Sequence, residues 1–81
     1  MPKFVKKPIV IEAVRWAGDN HSEVMRFVGQ VLDSDQEGIA IPTLEGVMRA
    51  GRGDWIIRGV KGEYYPCKSD IFSATYDLVE G

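Results

Sequence analysis

The chain has a single cysteine, Cys67, and a single histidine, His21. One cysteine excludes an intrachain disulfide and a thiolate metal cluster, and it suits a reducing compartment. Long apolar runs are missing too. After Met1-Pro2-Lys3 the longest is Pro8 to Ile11, far short of the ~20 residues of a membrane span or of a signal-peptide core. The expectation is a cytoplasmic protein with no membrane partner. A net charge of −2 lacks the basic excess of a nucleic-acid-binding domain, so no stable duplex nucleic acid is expected as a partner. Repeats, linkers and low-complexity segments are also absent.

What is present fits one domain, residues 1–81. Hydrophobic residues make up 44% of the chain, too many for a disordered tail. A chain this short buries only roughly 60–65% of its unfolded surface. Two Trp, three Tyr and three Phe are more aromatic surface than such a thin core covers, which points to a homo-oligomer. Charge is segregated: residues 1–16 hold four basic groups against Glu12, and residues 48–68 hold five against Asp54 and Glu63. The 17–47 segment holds six acids against Arg26 alone, and Asp70, Asp77 and Glu80 follow unopposed. The basic segments either make one positive surface or pair with the acids within the fold.

Phe4 to Trp16 reads as a long strand, with Ile9, Ile11 and Ala13 on one face and Val10, Val14 and Trp16 on the other. Pro8 belongs near its start or on an edge. Two apolar faces call for two covers, a helix on one side and sheet or another subunit on the other. After Gly18-Asp19-Asn20, the Asn20/Glu23 spacing is that of a capping box. Val24, Phe27, Val28 and Val31 then recur at i, i+3, i+4, i+7 in an amphipathic helix of about three turns, which Gly29 can end early.

The acidic stretch Asp33 to Gly38 is a loop, and glycine-punctuated strands follow. Ile39–Thr43 and Val47–Ala50 flank Glu45-Gly46 as a hairpin. Gly51 to Asp54 turns into Trp55–Arg58, and Gly59 to Gly62 turns into Glu63-Tyr64-Tyr65, closed by Pro66. Ser69 is placed to cap a helical turn through Asp70-Ile71-Phe72, and Tyr76–Val79 reads as a final strand. The fold class is α+β: a small, mostly antiparallel sheet (β-α-β-meander) packed on one amphipathic helix, with a short late helical turn.

Nucleophilic catalysis needs a nucleophile, a base and a group that orients the base. His21 falls in the first helical turn, a solvated position, and Cys67 reads as a small buried filler. Asp33-x-Asp35-x-Glu37 alternates as calcium loops do but lacks their glycine and distal Glu at the proper offsets. No enzyme, metal site or cofactor is therefore expected. The glycine turns Gly51-Arg52-Gly53 and Gly59-x-x-Gly62 could offer N–H groups to an anion, although turn geometry alone accounts for them. The remaining signal is aromatic–basic interleaving. Arg49, Arg52, Arg58 and Lys61 would contact phosphates while Trp16, Trp55 or Tyr64 stack on a base. The competing reading puts the rings in the core and the charges on the outer face.

The segment Gly53-Asp54-Trp55-Ile56-Ile57-x-Gly59-x-x-Gly62-Glu63-x-Tyr65-Pro66-Cys67-Lys68-x-Asp70-Ile71-Phe72 resembles a family of short phage and prophage proteins. So do Lys7-Pro8-x-Val10-x-Glu12-Ala13-x-x-Trp16, Thr43-Leu44-Glu45-Gly46 and Thr75-Tyr76. The resemblance covers nearly the whole chain and carries no catalytic residue. It implies a phage origin, residence in the host cytoplasm and stoichiometric binding. The leading expectation is a counter-defence protein sequestering a small anionic, nucleotide-like ligand at an oligomer interface. The alternatives are an inhibitor of a host protein and a minor virion or assembly component.

Overall fold

The structure is a computed structural model and describes residues 2–4, 9–35 and 37–79. In order these form β1 (Glu12–Arg15), α1 (His21–Val28), β2 (Gly38–Thr43), β3 (Gly46–Gly51), β4 (Trp55–Arg58), β5 (Tyr64–Cys67) and α2 (Ser69–Thr75). The architecture is α+β with antiparallel pairing, in two sheets: a three-stranded one, β1-β4-β5, and the hairpin β2-β3.

The corner at Gly51–Asp54 is why there are two sheets. The Asp54 carboxylate accepts the Gly51 N–H at 2.9 Å and an ammonium proton of Lys68 at 3.2 Å. Asp54 N–H returns to the Gly51 carbonyl at 3.0 Å. Gly53, at φ 87, donates to the Trp16 carbonyl at 2.7 Å, and Trp16 donates to the Asp54 carbonyl at 2.8 Å. The chain therefore leaves the hairpin and enters a new sheet beside β1. Asp54 is buried, and these donors satisfy it.

The hairpin follows the expected outline. Its turn, Leu44-Glu45, uses no positive φ of its own; Gly46 supplies it at φ 110. β4 matches its expected limits and is the central strand. β5 continues past Tyr65 through Pro66, which an edge strand tolerates because its outer side needs no donor.

Helix α1 ends where Gly29 turns left-handed (φ 82) and donates to the Met25 carbonyl at 2.7 Å. Val31 consequently leaves the helical face and is 87% exposed, while Leu32 is buried in its place. The expected capping box is not formed. The Asn20 amide instead reaches back to the Arg15 carbonyl (2.7 Å) and across to Glu23 (2.6 Å), and its oxygen accepts the Ala17 N–H (2.8 Å). Asn20 thus ties the helix start to the end of β1. The late helical turn is α2, which has Lys68 rather than Ser69 as its cap residue.

Two further expectations change. Within the expected Phe4–Trp16 strand, Glu12–Arg15 is the only strand among the described residues; residues 5–8, Pro8 included, lie outside them, and Ile9–Ile11 has no strand partner among the described residues because β4 ends at Arg58, opposite Glu12. Tyr76–Val79 is not a strand: it has no partner among the described residues and leaves α2 as irregular chain.

Register divides the three-stranded sheet into two faces. Val14, Ile56 and Pro66 lie opposite one another on one face, with Tyr64 two residues along; Ala13, Ile57 and Tyr65 lie on the other, with Trp55 and Cys67. The first face meets the core: Trp16, Val24, Val28, Leu32, Ile39, Ile41, Ala50 and Ile56 are buried together, with Val14, Met25, Phe27 and Tyr64 packed against them. The second face carries α2.

Candidate functional site

On the second face α2 covers only part of the sheet. Phe72 stacks on Trp55 with ring centroids 4.3 Å apart and planes 7° from parallel, and Tyr76 follows at 5.1 Å. Phe72 and Tyr76 meet at the end of α2, where the cap residue Tyr76 donates its N–H to the Phe72 carbonyl at 2.9 Å. Beside this ladder runs an open trough of about 1450 Å³, walled by Ile9–Ala13 of the first strand and its extension, by Tyr65 and Val60, and by the chain after α2, Leu78 and Val79. Ligand pockets usually enclose roughly 300–1,000 Å³, so the trough is larger and more open than a small molecule needs.

Its polar lining is one-signed. Among the described lining residues the charged ones are Glu12, Glu63 and Asp77. Glu12 meets Arg58 at 3.5 Å at the rim. Tyr65 is hydrogen-bonded to Tyr76; burial, then that bond and the nearby Tyr76 and Glu63 charges, push its phenol up to about 12. It stays neutral and available as a hydroxyl at physiological pH. Burial, then the negative Asp54 and Asp70, raises the Cys67 thiol, the reverse of what activates a nucleophile.

The seven residues expected to bind an anion do not converge within one chain. Trp16 is 1% exposed in the core, where it cannot stack on a ligand. Tyr64 donates its hydroxyl to the Phe27 carbonyl at 3.1 Å and sets its ring edge-on to Phe27. Arg49, on the hairpin, is ion-paired with Asp35. Arg52 packs over Gly18 at the Asp54 corner, whereas Arg58 and Lys61 lie at the opposite end of β4. Trp55 alone faces the trough.

The basic segments are neighbours, since β1 pairs with β4. Much of their charge meets acids, in Arg49–Asp35, Arg58–Glu12 and Lys68–Asp54. The glycine turns offer little to an anion. Gly51, Arg52 and Gly53 donate to Asp54, Glu37 and Trp16; Gly59, Lys61 and Gly62 donate to Glu63 (carbonyl and carboxylate) and to Gly59.

His21 is a structural residue and not the solvated one its position suggests. Its Nε2 lies 2.8 Å from the Leu32 carbonyl, which can only accept, and its ring stands edge-on to Trp16. Asp35, in the acidic loop (Gln36 lies outside the described residues), accepts the Glu37 and Gly38 N–H groups at 2.9 Å. Those bonds, with Arg49, hold its carboxyl below the usual range.

Phe72, Tyr76, Tyr65 and the carboxylates of the trough were not among the expected site residues. The Phe72/Tyr76 spacing was the available signal, hidden by reading Tyr76 as strand. The chain matches no protein-family model, no curated protein and no solved structure.

Proposed function

We propose that this chain is a non-enzymatic binding protein that holds a polypeptide segment of a protein partner, apolar with basic residues, in the trough beside the Trp55–Phe72–Tyr76 ladder. The observation that carries this reading is the trough itself: large, open, aromatic along one side, and lined by carboxylates with no basic residue among the described lining. Aromatic rings and aliphatic walls favour apolar side chains, and the carboxylates favour lysine or arginine between them. Among the roles implied by a phage origin, stoichiometric inhibition of a host protein suits such a surface better than sequestration of a nucleotide. An anionic ligand would meet like charge in the trough, and the expected cations stand apart along the sheet.

The two tryptophans make a direct test possible. Trp16 is enclosed and Trp55 borders the trough, so the fluorescence of a Trp16→Phe variant reports the trough alone. Titration with short peptides of equal apolar content and opposite charge is expected to shift Trp55 emission saturably for the basic peptide and not for the acidic one. Preference for the acidic peptide, or saturable binding of nucleotides with no response to either peptide, would overturn the reading.

A further inference from the structure

The free chain carries too much surface for its size. A compact monomer of 9.0 kDa exposes about 4,900 Å², whereas this chain exposes 6291 Å². Its radius of gyration is 13.7 Å, against about 12 Å for a compact chain of this length.

One group of exposed apolar side chains borders the trough, while others, such as Val31, Leu44 and Val47, lie elsewhere. Val60, Leu78 and Val79 are exposed beside the trough, as are Ile9 and Val10 in the arm that runs beyond the last paired residue of β4. Farther along the arm, Phe4 is 92% exposed, so the arm's aromatic residue does not fill its own chain's trough.

The arm has the composition the trough calls for. Lys3-Phe4-Val5-Lys6-Lys7 joins two apolar side chains to three lysines and contains no acid. The trough offers aromatic and aliphatic walls with Glu12, Glu63 and Asp77. Residues 9–13 border it, roughly 16 Å of extended chain, and a five-residue segment spans the same length.

We infer that the polypeptide held in the trough of the free protein, before any other partner displaces it, is the N-terminal arm of a second copy of this chain, the smallest closed form being a two-fold dimer in which each copy's arm lies in the other's trough. The inference rests on reading the trough as a polypeptide site. Reciprocal exchange buries both arms and both troughs at once and closes the assembly. It also supplies the second cover that the apolar face of β1 lacks.

The test is the mass of the 81-residue chain in solution, by sedimentation equilibrium up to about 100 µM, where a micromolar dimer is saturated. Wild type is expected at twice the 9.0 kDa chain mass. Phe4→Asp changes a side chain exposed in the single chain, so it leaves the protomer folded and is expected to shift the mass to monomer. Asp77→Lys is expected to weaken association by about tenfold or more, and Lys3→Glu in the same chain to restore much of it. A wild-type monomer, or a dimer indifferent to Phe4→Asp and to the charge reversal, overturns the inference. A synthetic peptide of residues 2–11, titrated against the Phe4→Asp chain by Trp55 fluorescence, separates the two readings. Binding of the peptide with wild type monomeric leaves the trough as a polypeptide site and removes the second copy; absence of peptide binding removes both.

Discussion

The two faces of the three-stranded sheet are built from the same strands and finished differently. Toward the core, Val14 and Ile56 meet α1 and the β2-β3 hairpin, and Ile39, Ile41, Val24 and Trp16 close over them with almost no exposure. On the other face, Trp55 and Tyr65 remain half-buried and α2 buries none of its own residues fully. Branched aliphatic side chains have few rotamers and pack tightly, so they suit a face sealed within one chain. Large rings with a polar edge suit a face that stays partly wet until something covers it. The core face carries stability, and the aromatic face is the one the proposed partner would cover.

Exchanging the two tryptophans' roles gives the sharpest contrast. Trp16→Ala is expected to cost about 3–5 kcal/mol, as for a large ring removed from a core, measured by urea denaturation. Trp55→Ala is expected to cost only about 1–2 kcal/mol, from a half-buried ring and one stacked contact, while abolishing both self-association and peptide binding. Equal losses of stability would erase the distinction between the faces.

Gly38→Ala attacks the cover of the core face. A Cβ there would lie 2.7 Å from the Ala50 carbonyl oxygen across the hairpin, and the forced shift is expected to cost about 1–3 kcal/mol. Trp16→Phe should cost less than the lost ring area suggests, because Trp16 Nε1 is buried without a hydrogen-bond partner in the described structure. Removing that donor recovers about 1–3 kcal/mol of desolvation penalty; a loss as large as for Trp16→Ala would show that the N–H is satisfied in solution.

The smallest effects are in pH. Asp35 is held below its ordinary range by the Gly38 and Glu37 N–H groups and by Arg49. Its contribution is therefore present above the unfolded value of about 3.9 and is lost as pH falls through the lower folded value. Asp35→Asn should flatten the acid limb of a thermal-melt profile and leave the neutral limb unchanged. Tyr65, raised to about 12, works in the opposite direction: stability is retained below about 10, the unfolded value, and declines as pH climbs from there through 12. Phenolate absorbance should show one late-titrating tyrosine, and Tyr76→Phe should bring it partly back, since burial, the larger cause, remains.

Local signals carried much of the fold. Gly29 marks the end of α1, the hairpin follows from its alternation and Gly46, and β4 has its expected bounds. What depended on distant partners was not legible. Ile9–Ile11 has every residue preference of a strand but no strand partner among the described residues once β4 stops at Arg58. The split into two sheets rests on Asp54 meeting both Gly51, within its own turn, and the more distant Lys68, and no short residue window contains the second partner. The candidate site was less legible still. Interleaved rings and cations look alike whether the rings face a ligand or the core, and the register that divides Trp55 from Trp16 and Tyr64 is set only when strands far apart in sequence pair.

The strand order β1-β4-β5 also has a consequence for synthesis. Of the described strands β1 is made first, and it pairs with one that follows about forty positions later, Arg15 opposite Trp55, so β1 must wait while the hairpin, whose contacts are local, can already form. During that wait Ile9-Val10-Ile11 is a bare β-prone segment. Lys6, Lys7 and Pro8 stand immediately before it, the residue types that discourage one nascent chain from pairing with another. The lysines that would direct the proposed exchange of arms thus also stand where they discourage premature association.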